Sequence, residues 1–257
     1  MKILILLGLF VSSTLLASVE GEVGVYSNFI WRGTTFTENK PAVQAQIDGE
    51  EKNGFFINTF LSNAEFSDEA LGNDATVTSE VDGAVGKRFY GEDWMIQLAY
   101  YRFTFPGASV FDTDDWNIQG KWKHFLFELS YMDDYFGYKG AYRYLRLGYE
   151  WAFSHDLEAA IFIGYNDFVN PKGDIKTRCL DSGCNELAET LNGAANKNYF
   201  DLYIVGSKKI ANDQKVELGL NITDRKEYLV EGGEIETDRA KDFAAVISWT
   251  VPITIIP

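Results

Sequence analysis

The chain has 257 residues, of which 46% are hydrophobic and 15% aromatic, with a formal net charge of −15 at pH 7 and a mean hydropathy of −0.16. An acidic balance of this size argues against a nucleic-acid partner, which calls for a basic face. After the first residues, no stretch approaches the roughly 20 continuous apolar residues of a transmembrane helix, so a helical membrane protein is excluded.

The chain opens MKILILLGLFVSSTLLAS, with one lysine, a short apolar run and small residues at its end. This predicts a secretory signal peptide over residues 1–18, cleaved near Ala17 or Ser18, and an exported chain. Residues 19–257 show no linker and no shift in composition, which predicts one domain.

From Glu22 to Arg32 the residues alternate, with Val23, Val25, Phe29 and Trp31 against Glu22, Tyr26, Asn28 and Arg32. From Ala42 to Lys52, Val43, Ala45 and Ile47 oppose Gln44, Gln46, Asp48 and Glu50. Period two is the signature of strands, each with one apolar and one polar face. The KNG that follows suits a tight turn into a third strand, Phe55 to Ser62. A polar loop, 65–75, leads to a fourth strand, Val77 to Phe89, with Glu80, Asp82 and Arg88 on its polar side. YGED turns into a fifth strand carrying Trp94, Ile96, Leu98 and Tyr100, and FTFPGASVFDTDD forms the next loop.

The sixth strand sets Trp116, Ile118 and Trp122 against Asp115, Asn117, Gln119 and Lys121; the chain reverses near His124 into a seventh with Glu128 on its polar side. The stretch DDYFGYKGA reads as a loop. An eighth strand presents Arg146 and Glu150 opposite Leu145, Leu147, Tyr149 and Trp151, and a ninth follows FSHD. Residues 169–197 break the rhythm and hold the two cysteines, Cys179 and Cys184, in CLDSGC. In an exported chain that spacing favours a local disulfide over a metal site, since no further cysteine or nearby histidine completes a ligand set. Three more strands follow, the eleventh with Glu217 on its polar side, the last two separated by a charged loop, 224–241, and the last interrupted by Pro252. A proline there removes a ladder hydrogen bond, so that either the strand ends near Val251 or the assembly signal at the end of the chain is unusual.

Twelve antiparallel strands describe an all-β fold; of three regularities, the connections and the tryptophans favour an up-and-down transmembrane barrel over a soluble sandwich, and the third, mid-strand charge, suits both. Connections after even-numbered strands take a few residues, while those after odd-numbered strands, the first excepted, are long. All six tryptophans fall on the apolar parity near strand ends, where an interfacial girdle sits. The polar parity carries mid-strand charge, which inside a bilayer has to face a wet or internally paired lumen. The predicted pore-lining set is Arg32, Asp48, Glu80, Asp82, Arg88, Lys121, Glu128, Arg146, Glu150 and Glu217. With Glu22, Glu50, Glu158 and Asp201 added, and Lys123 and Lys215 among the bases, inward acids outnumber inward bases, which implies a modest cation preference.

No enzyme is indicated. His124 and His155 both fall in short turns, away from any loop-rim site, without an orienting partner. Asp112, Asp114 and Asp115, and Asp133 with Asp134, match no defined cation-binding loop and read as solvated acids. No cofactor and no metal are expected.

The block GVYSNFIWRGTTFTENKPAVQAQIDGEEKNGFFINTFLSN, with FTFPGA at 103–108 and SYMDDYFG at 130–137, resembles the TorF family, proteobacterial exported proteins of poorly defined function to which a porin role is ascribed. That resemblance implies an outer-membrane barrel and no catalytic residues. The loop holding CLDSGC and the final VISWTVPITIIP, which lacks a terminal aromatic residue, fall outside the resemblance.

Together these readings imply a bacterial outer-membrane barrel whose partners are membrane lipid and small hydrophilic solutes or ions passing passively. A closed barrel with a structural or adhesive role, and an exported soluble barrel that binds a ligand, are the alternatives. A homo-oligomer is compatible with the pattern, which marks no wall as an interface.

Overall fold

The computed structural model describes residues 18–67, 76–169, 198–224, 226–231, 234–239 and 243–256. In chain order the strands are β1 (Ser18–Tyr26), β2 (Ile30–Trp31), β3 (Thr34–Thr35), β4 (Ala42–Glu50), β5 (Phe55–Ser67), β6 (Thr76–Tyr90), β7 (Trp94–Thr104) and β8 (Thr113–Trp122). They continue as β9 (Phe125–Tyr135), β10 (Tyr138–Ala152), β11 (Leu157–Val169), β12 (Tyr199–Lys209), β13 (Lys215–Thr223), β14 (Lys226–Glu231), β15 (Glu234–Arg239) and β16 (Phe243–Ile256). Twelve of them form one closed antiparallel barrel, in which β1 pairs with both β4 and β16; β2–β3 and β14–β15 are separate two-stranded ribbons.

Alternation in the sequence becomes the two faces of the wall. Val43, Val85, Leu98, Leu129, Leu147 and Ile163 stand exposed on the outside, while Glu80, Asp82, Gln97, Asp115, Asn117 and Glu128 are buried inside. A soluble protein hides its apolar residues; this wall turns them outward all round. Five tryptophans, Trp94, Trp116, Trp122, Trp151 and Trp249, share that outer surface. Four of the five gather toward one rim, where Trp94 pairs with Trp122 and the Trp249 indole donates to Gln214 at 3.0 Å.

That rim is the turn end, with links of two to five residues between β4–β5, β6–β7, β8–β9, β10–β11 and β12–β13. His124 and His155 lie there as expected. The opposite, loop end departs from expectation in three places. DDYFGYKGA is not a loop: β9 and β10 run on to a two-residue turn at Phe136 (φ 49°) and Gly137 (φ 85°), the positive-φ pair that a type I′ hairpin demands. The charged segment 224–241 carries the β14–β15 ribbon. A register shift between Asn63 and Phe66 turns Val77 from the outer parity into the core, where it is fully buried. Cys179 and Cys184, like residues 1–17, lie outside the described residues.

The last strand does not stop at Val251. β16 passes through Pro252, opposite Glu22 on β1, and continues to Ile256 with one register shift near Val19. A proline is tolerated at a strand irregularity or where its missing N–H faces no partner. Outward Ile253 and Ile255 keep the parity on its far side.

Inside the loop end lies the main aromatic core: Phe36, Phe103, Phe105, Phe111, Met132, Tyr135, Phe136 and Tyr142, with Trp31 and Phe66 against it. Edge-to-face contacts recur, such as Phe66 with Phe111 at 5.2 Å and 80° and Phe103 with Phe136 at 5.8 Å and 80°. Burial of each such ring stabilises by about 1.5–3 kcal/mol. The turn half of the lumen is polar instead.

Leu129, mid-strand on the outer wall, tests what covers that wall. Leu129→Arg is expected to lower the unfolding free energy by about 2–4 kcal/mol when a bilayer surrounds the barrel, whereas on a water-facing wall the change stays within about 0.5 kcal/mol. Urea unfolding in lipid vesicles, followed by tryptophan fluorescence, measures the difference.

Candidate functional site

Residues 27–41 govern the lumen. The first strand was expected to reach Arg32; it ends at Tyr26, and the chain then folds back into the barrel as the short β2–β3 ribbon. Arg32 (φ 48°) and Gly33 (φ 81°) make its turn, and an added Cβ on Gly33 would sit 3.0 Å from the Asp201 side chain. Phe29 and Trp31 are therefore core residues, not lipid-facing ones, and Trp31 leaves the girdle. The segment bonds to itself through Phe36 N–H to Phe29 O at 2.7 Å and Thr35 Oγ1 to Asn28 Oδ1 at 2.7 Å. Glu65 N–H to Phe36 O at 2.7 Å ties it to β5. At the rim Lys40 bonds Glu65, which holds its ammonium above the usual lysine range.

Arg32 is the anchor. Its Nη2 donates to Asp115 Oδ2 and Glu128 Oε1, each at 2.9 Å, and its guanidinium lies 4.1 Å from the Trp31 ring and 4.5 Å from the Tyr144 ring. The Tyr199 hydroxyl donates to the Arg32 carbonyl at 2.8 Å. Glu128 also takes Arg146 Nη2 at 2.7 Å and Asn117 Nδ2 at 3.1 Å, and Ser130 donates to Asp115. A charge held by two carboxylates and two rings is not free to sway, because removing any partner leaves a buried group unpaired.

The other predicted pore residues fall into separate clusters. Arg88 forks onto Asp48 with two bonds of 2.7 Å, reaches Glu50 at 2.7 Å and Gln97 at 2.9 Å, and lies 4.0 Å from the Phe56 ring. Lys121 pairs with Glu150 at 2.5 Å and Lys215 with Glu217 at 2.9 Å, toward the turn end. Lys123, counted among the inward bases, is instead an exposed turn residue (φ 54°) 3.7 Å from Asp93. Asp201 accepts from Asn166 at 2.9 Å and Tyr144 at 3.3 Å. Glu80 and Asp82 face inward from β6, and among the described residues no basic side chain pairs with either; Glu80 Oε2 and Asp82 Oδ1 have no hydrogen-bond donor. Beside the ribbon remains a chamber of about 310 Å³, lined by Trp31, Arg32, Phe56, Glu80, Asp82 and Glu128 among others.

Asn117, Tyr142, Tyr144 and Tyr199 were not singled out from sequence, and Asp115, expected to be a solvated acid, is buried in the lumen against Arg32. Asp115 stood on the right parity of its strand, yet nothing local couples it to an arginine 83 residues away. Asp112 and Asp114 are bound outside the lumen by Arg102, and among the described residues no group of three acids, histidines or cysteines could hold a metal.

The family assignment follows from residues 13–195, which match the sequence profile of Gcw_chp, described as a bacterial protein of unknown function. The chain belongs to this family. The match takes in the inward ribbon together with β8 and β9, whose carboxylates hold Arg32, and ends before β12, which supplies Tyr199. The TorF resemblance had implied a porin role; the Gcw_chp description carries none. No curated protein matches the sequence. Among solved structures, a chain from a study of the in-meso crystallization of membrane proteins aligns with TM-score 0.51 at 7% identity over 93% of this chain and 84% of that one. The NanC porin aligns with TM-score 0.49 at 11% identity, and the KdgM porin with TM-score 0.49 at 10%, each over 92% of this chain and 98% of its own. At such identities the likeness is one of fold.

Arg32→Ala is expected to cost about 3–5 kcal/mol, the penalty for breaking a buried ion pair by removing one partner. Hydrogen–deuterium exchange should show the amides of Phe29 and Phe36 exchanging at least tenfold faster in the variant, while those of β9 and β10 at the barrel wall stay protected.

Proposed function

We propose that the chain is a porin-like channel of a bacterial outer membrane, with its turn end in the periplasm and its loops outside, passing small hydrophilic solutes or ions without catalysis. The observation that carries this reading is the closed wall with apolar residues outside and charged ladders inside. Such a wall suits a bilayer, since closure leaves no unpaired strand edge and lipid offers lumen charges no partner. Twelve strands enclose less than the 16 to 18 of general porins, and the inward ribbon takes part of that space. The free path is therefore narrow and runs beside the ribbon.

A modest cation preference belongs to the same proposal. The chamber wall carries Asp48, Glu80, Asp82, Asp115 and Glu128 against Arg32 and Arg88, and a surplus of one sign in a narrow lumen concentrates the opposite ion. A second reading, a closed barrel with a structural or adhesive role, is favoured by the aromatic core across the loop end and by the paired state of most lumen charges.

Purified protein in a planar bilayer under a potassium chloride gradient separates the two. Discrete conductance steps smaller than those of general porins, with a reversal potential on the cation side, are expected for the channel. Stable insertion without steps over many recordings would leave the closed barrel.

A further inference from the structure

Charge in the chamber does not balance locally. Of the five acids on its wall, Asp48 is taken by Arg88, and Asp115 and Glu128 by Arg32. Glu80 and Asp82 remain, two residues apart on one face of β6 and only 2% and 8% exposed. Their carboxyl groups are in hydrogen-bonding contact with each other, and Asp82 takes one further bond from the Thr104 backbone. Two carboxylates cannot meet in a site screened from water unless something positive joins them. A second, separate signal lies on the same chamber: Asn117, 4% exposed, gives its amide N–H to Glu128 and leaves Oδ1 with no donor.

The remaining wall decides which kind of cation fits. Phe29, Trp31, Phe56, Phe60, Tyr101 and Phe103 all line the chamber. Aromatic faces attract cations and accept apolar stems, and the Arg88 guanidinium 4.0 Å from the Phe56 ring is one such pair within this chamber. A calcium ion wants six to eight oxygen ligands and magnesium an octahedral shell; among the described residues no group of three acids, histidines or cysteines gathers to hold such an ion, and beside the two free carboxyls this wall offers neutral amides and rings. An ammonium group is a compact charge with three N–H donors and no acceptor. We infer that the chamber is a binding site for a small organic cation, an ammonium on a short apolar stem, seated at the Glu80–Asp82 pair with its stem against the rings and any polar tail toward Asn117. This deepens the channel reading and rests on it only for how such a solute arrives and leaves.

The test is equilibrium binding, which needs no open pore. Full-length protein in detergent micelles is titrated calorimetrically with n-butylammonium chloride, and separately with sodium chloride at equal ionic strength. Saturable binding of the amine, not reproduced by sodium, is expected for the native chain, at least tenfold weaker in the isosteric E80Q/D82N variant and unchanged within twofold in E158Q, which removes an inward acid of β11 away from the chamber. Phe60→Ala, which removes an aromatic wall and keeps both carboxyls, should weaken binding about threefold, and circular dichroism confirms that each variant is folded. No saturable binding by the native chain, or equal binding by folded E80Q/D82N, overturns the inference and leaves a shared proton between the two carboxyls. Binding without any conductance would sink the channel proposal and keep this one; conductance without binding does the reverse.

Discussion

Closure of the sheet is the constraint on which everything else rests. β1 meets β16 over eight residue pairs, from Val19 with Ile256 to Tyr26 with Ser248, and this seam joins the first described residues to the last. Once closed, the wall has no edge, and every strand has an inside and an outside set by the period of two. A shift of one residue at the seam would send Ser248 and Thr250 outward and Ile247 and Trp249 inward, so register and side-chain chemistry hold each other in place. Continuation of β16 through Pro252 belongs to the same demand: the seam needs length more than it needs one hydrogen bond.

With a closed wall, the interior has to be filled or wetted, and the two halves of this barrel do so differently. At the loop end, Phe and Tyr side chains from β7, β9 and β10 converge with Trp31 and Phe36 into an apolar core. Toward the turn end the same inward parity carries acids and bases that neutralise one another in small groups. Arg32 stands at the border, with rings on one side and carboxylates on the other. Its position is a compromise between the two solvents that the barrel makes for itself.

The wall was legible in the sequence and the lumen was only partly so. Alternation identifies twelve strands and their inward residues because it is a local property, readable within any nine-residue window. Asp48, Glu80, Asp82, Arg88, Glu128, Arg146, Glu150 and Glu217 all face inward as their parity demands. What failed was local pattern where tertiary packing overrode it. Phe29 and Trp31 alternate with Asn28 and Arg32 as a strand would, but the chain bends after Tyr26, and the pattern serves an inward ribbon with Asn28 and Arg32 buried and Phe29 and Trp31 half-buried against the aromatic core. DDYFGYKGA looked like a loop because tyrosines and aspartates mixed without period; in the structure its two faces meet an aromatic core and solvent. Which acid holds which arginine is not a local property, and no window of sequence contains it.

The inward ribbon also bears on how the molecule comes together. Arg32 makes its bonds with residues 83 and 96 positions further along the chain, and its carbonyl is held by a tyrosine 167 positions away. Contacts of such separation are slow to form, because the chain between has to be ordered first. Residues 27–41 therefore leave the start of the chain early and find their seat late, when β8, β9 and β12 are already laid beside one another. Until then, Phe29, Trp31 and Phe36 have only one another to rest against. The barrel is filled as it closes, and an assembly intermediate would carry these three rings without their seat.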